Sequence, residues 1–235
     1  MNTRRLAHAA VMAACLLCIV VANAGPKDFW VTKPYTEWTA KEVEKLLLKD
    51  SPWTHVLLLN APSSSVSIGG TGGGKGGGSE GPPPIYINWY ARPIREAIVR
   101  QMMLLAPNTT KEQLDAILNF KSEFHDLIVT GFAPGSAARG SRGGAANAEN
   151  AMAKFKQETY LQKKNGQKIP LANLVPPPPK SRNAAYHLQF AKEIDGKPTL
   201  TPEDKEVTLS IRINDSPYKF KFKFADMMIN DKLEL

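Results

Sequence analysis

A chain of 235 residues, 43% apolar, 22% charged and 8% aromatic, is long enough to bury a core of ordinary size. Its 17 glycines, 18 prolines and two cysteines exclude collagen, a coiled coil and a disulfide-stapled miniprotein. The formal charge of +8 suits weak attraction to anionic polymers or lipid surfaces, and solubility accounts for it equally well.

Residues 1–24 have the pattern of a secretory signal. Arg4 and Arg5 make a positive head, Leu6 to Val21 is apolar apart from His8, and Ala22-Asn23-Ala24 is a small-x-small site that would release Gly25 as the new terminus. Cleavage between Ala24 and Gly25 is therefore expected, with a periplasmic or extracellular destination and no membrane span afterwards. Met12-Ala13-Ala14-Cys15 only loosely resembles a lipobox, which argues against lipid attachment at Cys15. Removing 24 of the 235 residues leaves 211, takes the net charge to +6 and removes both Cys15 and Cys18. A cysteine-free chain excludes thiol catalysis, cysteine zinc sites, iron–sulfur clusters and disulfides.

Beyond the signal, Thr39 and Glu42 form a capping box for a helix carrying Val43, Leu46 and Leu47, ended near Asp50 by Pro52. His55 to Asn60 reads as a strand. Residues 61–84 hold nine glycines between Gly69 and Gly81 and close with three prolines, a composition that predicts a disordered loop. Ile85 to Tyr90 alternates as a strand, with Ile85, Ile87 and Trp89 on one face. Pro93 then opens a helix over 94–105. Thr109 with Glu112 predicts the cap of a further helix bearing Leu114, Ile117, Leu118 and Phe124, whose end is marked by His125 and Asp126. Leu127 to Thr130 is a strand, residues 134–147 a second flexible loop, and Ala148 to Phe155 a short helix.

From Thr159 the pattern is strand-rich. Thr159 to Lys163 and Lys168 to Leu174 flank Asn165-Gly166 as a hairpin, Pro176 to Pro179 is a polyproline spacer, and Ala185 to Phe190 is a strand. Val207, Leu209, Ile211 and Ile213 alternate with polar residues. After Asn214-Asp215-Ser216-Pro217, so do Tyr218, Phe220, Phe222 and Phe224 with Lys219, Lys221 and Lys223. Lys232 to Leu235 adds a final pairing segment. Partly segregated helices and strands predict an α+β fold, with an antiparallel sheet and helices in the N-terminal half, in one domain over 25–235.

The motifs with chemical meaning are sparse. Gly69 to Lys75 fits a phosphate-loop spacing, but Gly76 stands where a hydroxyl must hold the metal. Prolines and a strand follow where a helix should start, so nucleotide binding is set aside. His55, His125 and His187 make no metal-ligand spacing, and no cofactor or metal is expected. His125-Asp126 is the one candidate dyad for a hydrolase, set against a helix-end pair in which the dipole favours an imidazolium. Glu42 with Glu44 and Glu203 with Asp204 read as solvated surface. Lys219, Lys221 and Lys223 form a basic strip that could meet a polyanion, but lysines on an edge strand also block aggregation, and nucleic acid is disfavoured because the aromatics face the other way. Trp30, Trp38, Trp53 and Trp89, with Tyr35, Tyr86 and Tyr90, could line a carbohydrate- or peptide-binding surface or pack a core. Trp89 and Arg92, near the strand-to-helix passage, are the binding candidates there.

Lys33-Pro34-Tyr35-Thr36-Glu37-Trp38-Thr39, followed by Leu46-Leu47 and Ser51-Pro52-Trp53, resembles the opening of a family of uncharacterised secreted bacterial proteins. The passage Trp89 to Ala97, with Pro93, Arg95 and Glu96, is similar to that family too, although Asn88 and Tyr90 flank Trp89 where the family usually has an arginine and a glutamate. The tail Phe220 to Leu235, with Asp226-Met227 and Lys232-Leu233, resembles its closing strands. The resemblance implies export and a shared fold, and it nominates no catalytic residue. The expectation is an exported envelope protein that acts by non-catalytic binding or assembly, with an envelope protein or polysaccharide as partner. The alternatives are a His125/Asp126 hydrolase and a polyanion binder.

Overall fold

The structure, a computed structural model, describes residues 28–59, 83–106, 108–132, 144–177, 185–213 and 216–235. The expected signal with Cys15, Ala24 and Gly25 lies outside the described residues. So do most of the 61–84 loop, residues 134–143 of the second loop and the Asn214-Asp215 turn. The chain divides into two compact units, Met1–Pro34 and Tyr35–Leu235. In the first, helix α1 (Phe29–Thr32) is a single turn whose Phe29 and Trp30 rings meet edge to face at 4.9 Å.

The second unit is α+β, and its sheets are antiparallel throughout. A five-stranded sheet runs in the order β1 (Thr54–Leu57), β2 (Ile85–Trp89), β3 (Phe124–Thr130), β7 (Ala185–Ala191), β6 (Asn173–Val175). A four-stranded sheet runs β11 (Ser216–Lys223), β10 (Glu206–Ile213), β4 (Tyr160–Lys163), β5 (Lys168–Pro170). Two short hairpins complete it: β8 (Glu193–Ile194) with β9 (Lys197–Pro198), and β12 (Met228–Ile229) with β13 (Lys232–Leu233).

Alternation explains how the two large sheets meet. Ile85, Ile87, Trp89, Val129, Leu127, Leu188 and Phe190 share one face of the five-stranded sheet and are all buried. That face packs on the four-stranded sheet through rings: Phe222 lies 5.1 Å from Trp89 and 4.7 Å from His55, edge to face in both cases. Val207, Leu209 and Ile211 stand opposite Phe222, Phe220 and Tyr218 in the β10–β11 register and complete the apolar layer.

The other face of the five-stranded sheet carries helix α2 (Ala40–Leu48), and helix α3 (Arg92–Leu105) packs against α2. Helix α2 starts as its sequence dictates. Thr39 Oγ1 accepts from the Glu42 amide, and the Glu42 carboxylate accepts from the Thr39 amide at 2.8 Å. Two buried carbonyls of its last turn are satisfied by the sheet: Thr54 Oγ1 donates to Leu46 O and Asn88 Nδ2 to Leu47 O at 3.1 Å. Arg100 Nε of α3 donates to the Trp38 carbonyl at 2.8 Å.

Several boundaries differ from the sequence reading. The cap of helix α4 (Lys111–Leu118) is Thr110 with Gln113, one residue on from Thr109 with Glu112, and Thr109 Oγ1 donates to Ala106 O instead. Phe124, His125 and Asp126 do not belong to that helix. They begin β3, held extended by pairing with β7 from Phe124↔Ala191 onward. Helix α5 starts at Gly144, within the span read as loop, and runs to Glu158. Strand β1 stops at Leu57, short of Asn60. Phe224 leaves β11 for a 3₁₀ turn over Phe224–Met227.

The second arm of the 159–174 hairpin also divides after Pro170. Leu171 N donates to Thr159 O at 3.3 Å beside the four-stranded sheet. Ala172 N donates to Gln189 O at 2.8 Å on the five-stranded one, where Asn173 begins β6.

Candidate functional site

Beyond the two helices, the helix-bearing face of the five-stranded sheet turns polar. Asp126 on β3 stands opposite Gln189 on β7, which stands opposite Asn173 on β6. Asn173 Nδ2 donates to Gln189 Oε1 at 3.3 Å, and Gln189 Nε2 donates to Asp126 Oδ1 at 2.8 Å. This cross-strand ladder ends at Asp126 Oδ2, which is buried and finds no partner in the protein. Asp126 is only 5% exposed, so the carboxylate has little solvent to compensate it.

The ladder ends at a cavity of about 360 Å³. Its walls come from the β2–α3 junction (Tyr90, Arg95), the segment after α4 (Phe120, Lys121, Ser122), the start of β3 (Phe124, Asp126), Lys192 beyond β7, and Leu235. The Tyr90 ring meets Phe120 at 5.1 Å and His187 at 5.8 Å, both edge to face, and the Tyr90 amide donates to the Asp126 carbonyl at 2.8 Å. Arg95 Nη1 donates to the Phe120 carbonyl, while Arg95 Nε is buried without a partner. Lys192 Nζ donates to the Ser122 carbonyl at 3.0 Å, which fixes the ammonium at the rim.

Electrostatics follow from this burial. The Tyr90 phenol is raised chiefly by desolvation, with Arg95 opposing and Asp126 reinforcing the shift. His187 is lowered by burial, opposed by the Asp126 carboxylate. Among the lining side chains there are three cations, Arg95, Lys121 and Lys192, and one carboxyl, that of Asp126.

The residues singled out from sequence are dispersed. His125 and Asp126, adjacent on β3, project to opposite faces of the sheet and form no dyad with each other. The His125 ring lies 5.8 Å from Trp89, on the face turned toward the four-stranded sheet, and both its nitrogens are buried without partners. Burial, with Lys192 adding repulsion, pushes its pKa down to about 4, so the ring is neutral at pH 7. The helix-end imidazolium is corrected in the same way, because the residue is in a strand.

Trp89 is fully buried against Phe222 and has no surface to offer a ligand; Trp38 and Trp53 are equally buried, so these rings build core rather than a platform. Arg92 is engaged by Glu96 at 3.4 Å and Glu234 at 3.3 Å. Burial raises the Glu96 carboxyl, Arg92 opposes and Glu234 reinforces the rise. Lys219, Lys221 and Lys223 are exposed along β11, an edge of the four-stranded sheet, and Lys221 pairs with Glu206 at 3.1 Å.

Sequence reasoning offers Tyr90 only as one of several rings for a binding surface and passes over Arg95, Phe120 and Lys192 as site residues. The available signal was Asp126 itself, a carboxylate inside an otherwise apolar run that had to pair with something once the run became a strand. Among the described residues no group of three His, Cys, Asp or Glu could hold a metal ion, and no helix is long and apolar enough to cross a membrane. No protein-family model matches the chain, and comparison with curated proteins and with solved structures finds no match either.

Proposed function

We propose that the protein is an exported, non-catalytic binding protein of the bacterial envelope, and that the cavity at Tyr90, Arg95 and Asp126 is its ligand seat. The observation that carries this reading is one cavity of about 360 Å³ whose lining gathers Tyr90, Arg95, Lys121, Asp126 and Lys192 from separate segments of the chain. A few convergent polar and charged groups of this kind fix the orientation of a small ligand. The apolar run and cleavage motif of residues 1–24 support export. The separation of His125 from Asp126 supports binding over hydrolysis by that pair.

The test is saturation-transfer NMR on the purified protein with separate pools of amino acids, monosaccharides and short carboxylates, repeated on Ser122→Trp, which fills the cavity. At least one pool should show transfer, and Ser122→Trp should abolish it while keeping the native circular dichroism spectrum. Transfer from no pool, or transfer undiminished in the folded Ser122→Trp protein, overturns the reading.

A further inference from the structure

We propose that the outward face of the four-stranded sheet binds an acidic polysaccharide, a sugar chain carrying carboxylate or sulfate groups. This surface is separate from the cavity and goes beyond the reading above.

Register decides what the face carries. The residues that alternate with the buried Leu161, Ile169, Leu209 and Phe222 point away from the five-stranded sheet. One row across the strands runs Lys219, Ser210, Tyr160, and the next runs Lys221, Thr208, Gln162, Lys168. Lys168, Lys219, Lys221 and Lys223 are all exposed. Alternate residues on β11 are roughly 7 Å apart, and three strand spacings separate β11 from β5 by roughly 14 Å. Lys168 stands on β5, the opposite edge of the sheet, so the cations form an array across the face and not only a fringe on one edge. Such an array suits a repeating polyanion rather than one small anion.

The charge on this face is unbalanced. Arg212 also points outward, beside the four lysines. Glu206 answers Lys221 at 3.1 Å and Glu158 answers Arg212, which leaves Lys168, Lys219 and Lys223 as the excess. Two of these act on one hydroxyl. Lys168 Nζ lies 4.1 Å from the centre of the Tyr160 ring. The hydrogen bond between Tyr160 and Ser210, then Lys168 and Lys219, draw the phenol below the usual tyrosine range. The positive potential of both outer strands therefore meets at the middle of the sheet.

The polar groups between the lysines select the class of polyanion. A nucleic acid gains affinity by stacking bases on open rings. The ring in these two rows is Tyr160, and Lys168 lies over it. A lipid surface rewards apolar side chains that insert into it, and the two rows present none. A polysaccharide needs cations for its acid groups and partners for its many hydroxyls. Thr208, Gln162 and the Tyr160 hydroxyl, all half-buried between the cations, can each donate and accept.

The experiment is biolayer interferometry at low salt on the purified protein, with polygalacturonate, dextran sulfate, neutral dextran, single-stranded poly(dT) and phosphatidylglycerol vesicles as separate probes. At least one of the two acidic polysaccharides should bind, more tightly than poly(dT) or the vesicles, and neutral dextran should not. Lys168→Gln combined with Lys219→Gln should weaken that binding roughly tenfold. Lys41→Gln combined with Lys111→Gln removes the same charge from exposed positions on α2 and α4 and should change it less than about twofold. Ser122→Trp, which fills the cavity, should leave it unchanged. Binding of neither acidic polysaccharide overturns the proposal, as do equal binding of neutral dextran, equal loss in the two double variants, and tighter binding of poly(dT) or vesicles. Loss of polysaccharide binding in folded Ser122→Trp would also overturn it, by moving the ligand to the cavity. Failure of the cavity reading would leave it standing.

Discussion

The indole Nε1 of Trp53 donates to the backbone carbonyl of Glu234 at 2.9 Å, joining residues 181 positions apart. Trp53 is fully buried, and Met227 and Ile229 are buried in the same closing segment, so the tail is part of the core rather than an appendage to it. Replacing Trp53 with Phe keeps a ring but leaves the Glu234 carbonyl without this donor. The expected loss is about 1–3 kcal/mol in urea unfolding. An unchanged midpoint with an unchanged slope would show that the bond contributes nothing.

Gly131 turns the chain after β3 with φ +78°, and a Cβ at that position would collide with the Pro84 carbonyl oxygen. Both the left-handed backbone and the close approach demand glycine. Gly131→Ala should lose on the order of 1–3 kcal/mol. Gly166 has φ +90° but open space around it, so Gly166→Ala should cost less than Gly131→Ala. Thermal denaturation of the two variants side by side checks the order, and the reverse order would contradict it.

His125 makes folding sensitive to acid. Its ring has a pKa of about 4 in the folded protein against 6.5 in the free residue, so between those values the unfolded chain binds the proton more readily. The stability of the neutral buried ring is complete above about pH 6.5 and falls as pH drops toward 4. The size is about 3 kcal/mol over that window. His187 is shifted in the same direction by burial and adds to the trend. His125→Leu should flatten much of the pH dependence measured by urea midpoints at pH 7, 5.5 and 4.5. Parallel curves for wild type and variant would remove His125 as the cause.

Lys219, Lys221 and Lys223 stand exposed on the edge strand β11, beside the partly exposed Tyr218 and Phe220. Charged side chains on an open edge oppose pairing with another chain. Replacing all three with Thr should leave the fold intact and increase aggregation on storage, read by light scattering. If the variant stays monomeric and instead loses retention on an immobilised polyanion at low salt, the lysines serve binding rather than edge protection.

What the sequence made legible was mostly local. The Thr39–Glu42 box, the alternation in β10 and β11 and the Asn165-Gly166 turn each depend on residues a few positions apart, and each appears in the structure. The choice between Thr109 and Thr110 as cap was not settled by neighbours, because both have a suitable side chain three residues on. Local propensity points His125 and Asp126 to a helix end, because their extended conformation is imposed by β7, some 60 positions away. The candidate site was illegible for the same reason. Its walls join Tyr90, Phe120, Asp126 and Lys192, which only the pairing of β2, β3 and β7 brings together.

The passage from β5 to β6 gives the domain a mechanical property. Leu171 is bonded into one sheet and its neighbour Ala172 into the other, with no slack between them. Strain applied to either sheet therefore reaches the other through a single peptide link, and neither can peel away without breaking a hydrogen bond at its border. The two layers should melt as one cooperative unit, with the Leu171 and Ala172 amides exchanging hydrogen only as slowly as the whole domain opens.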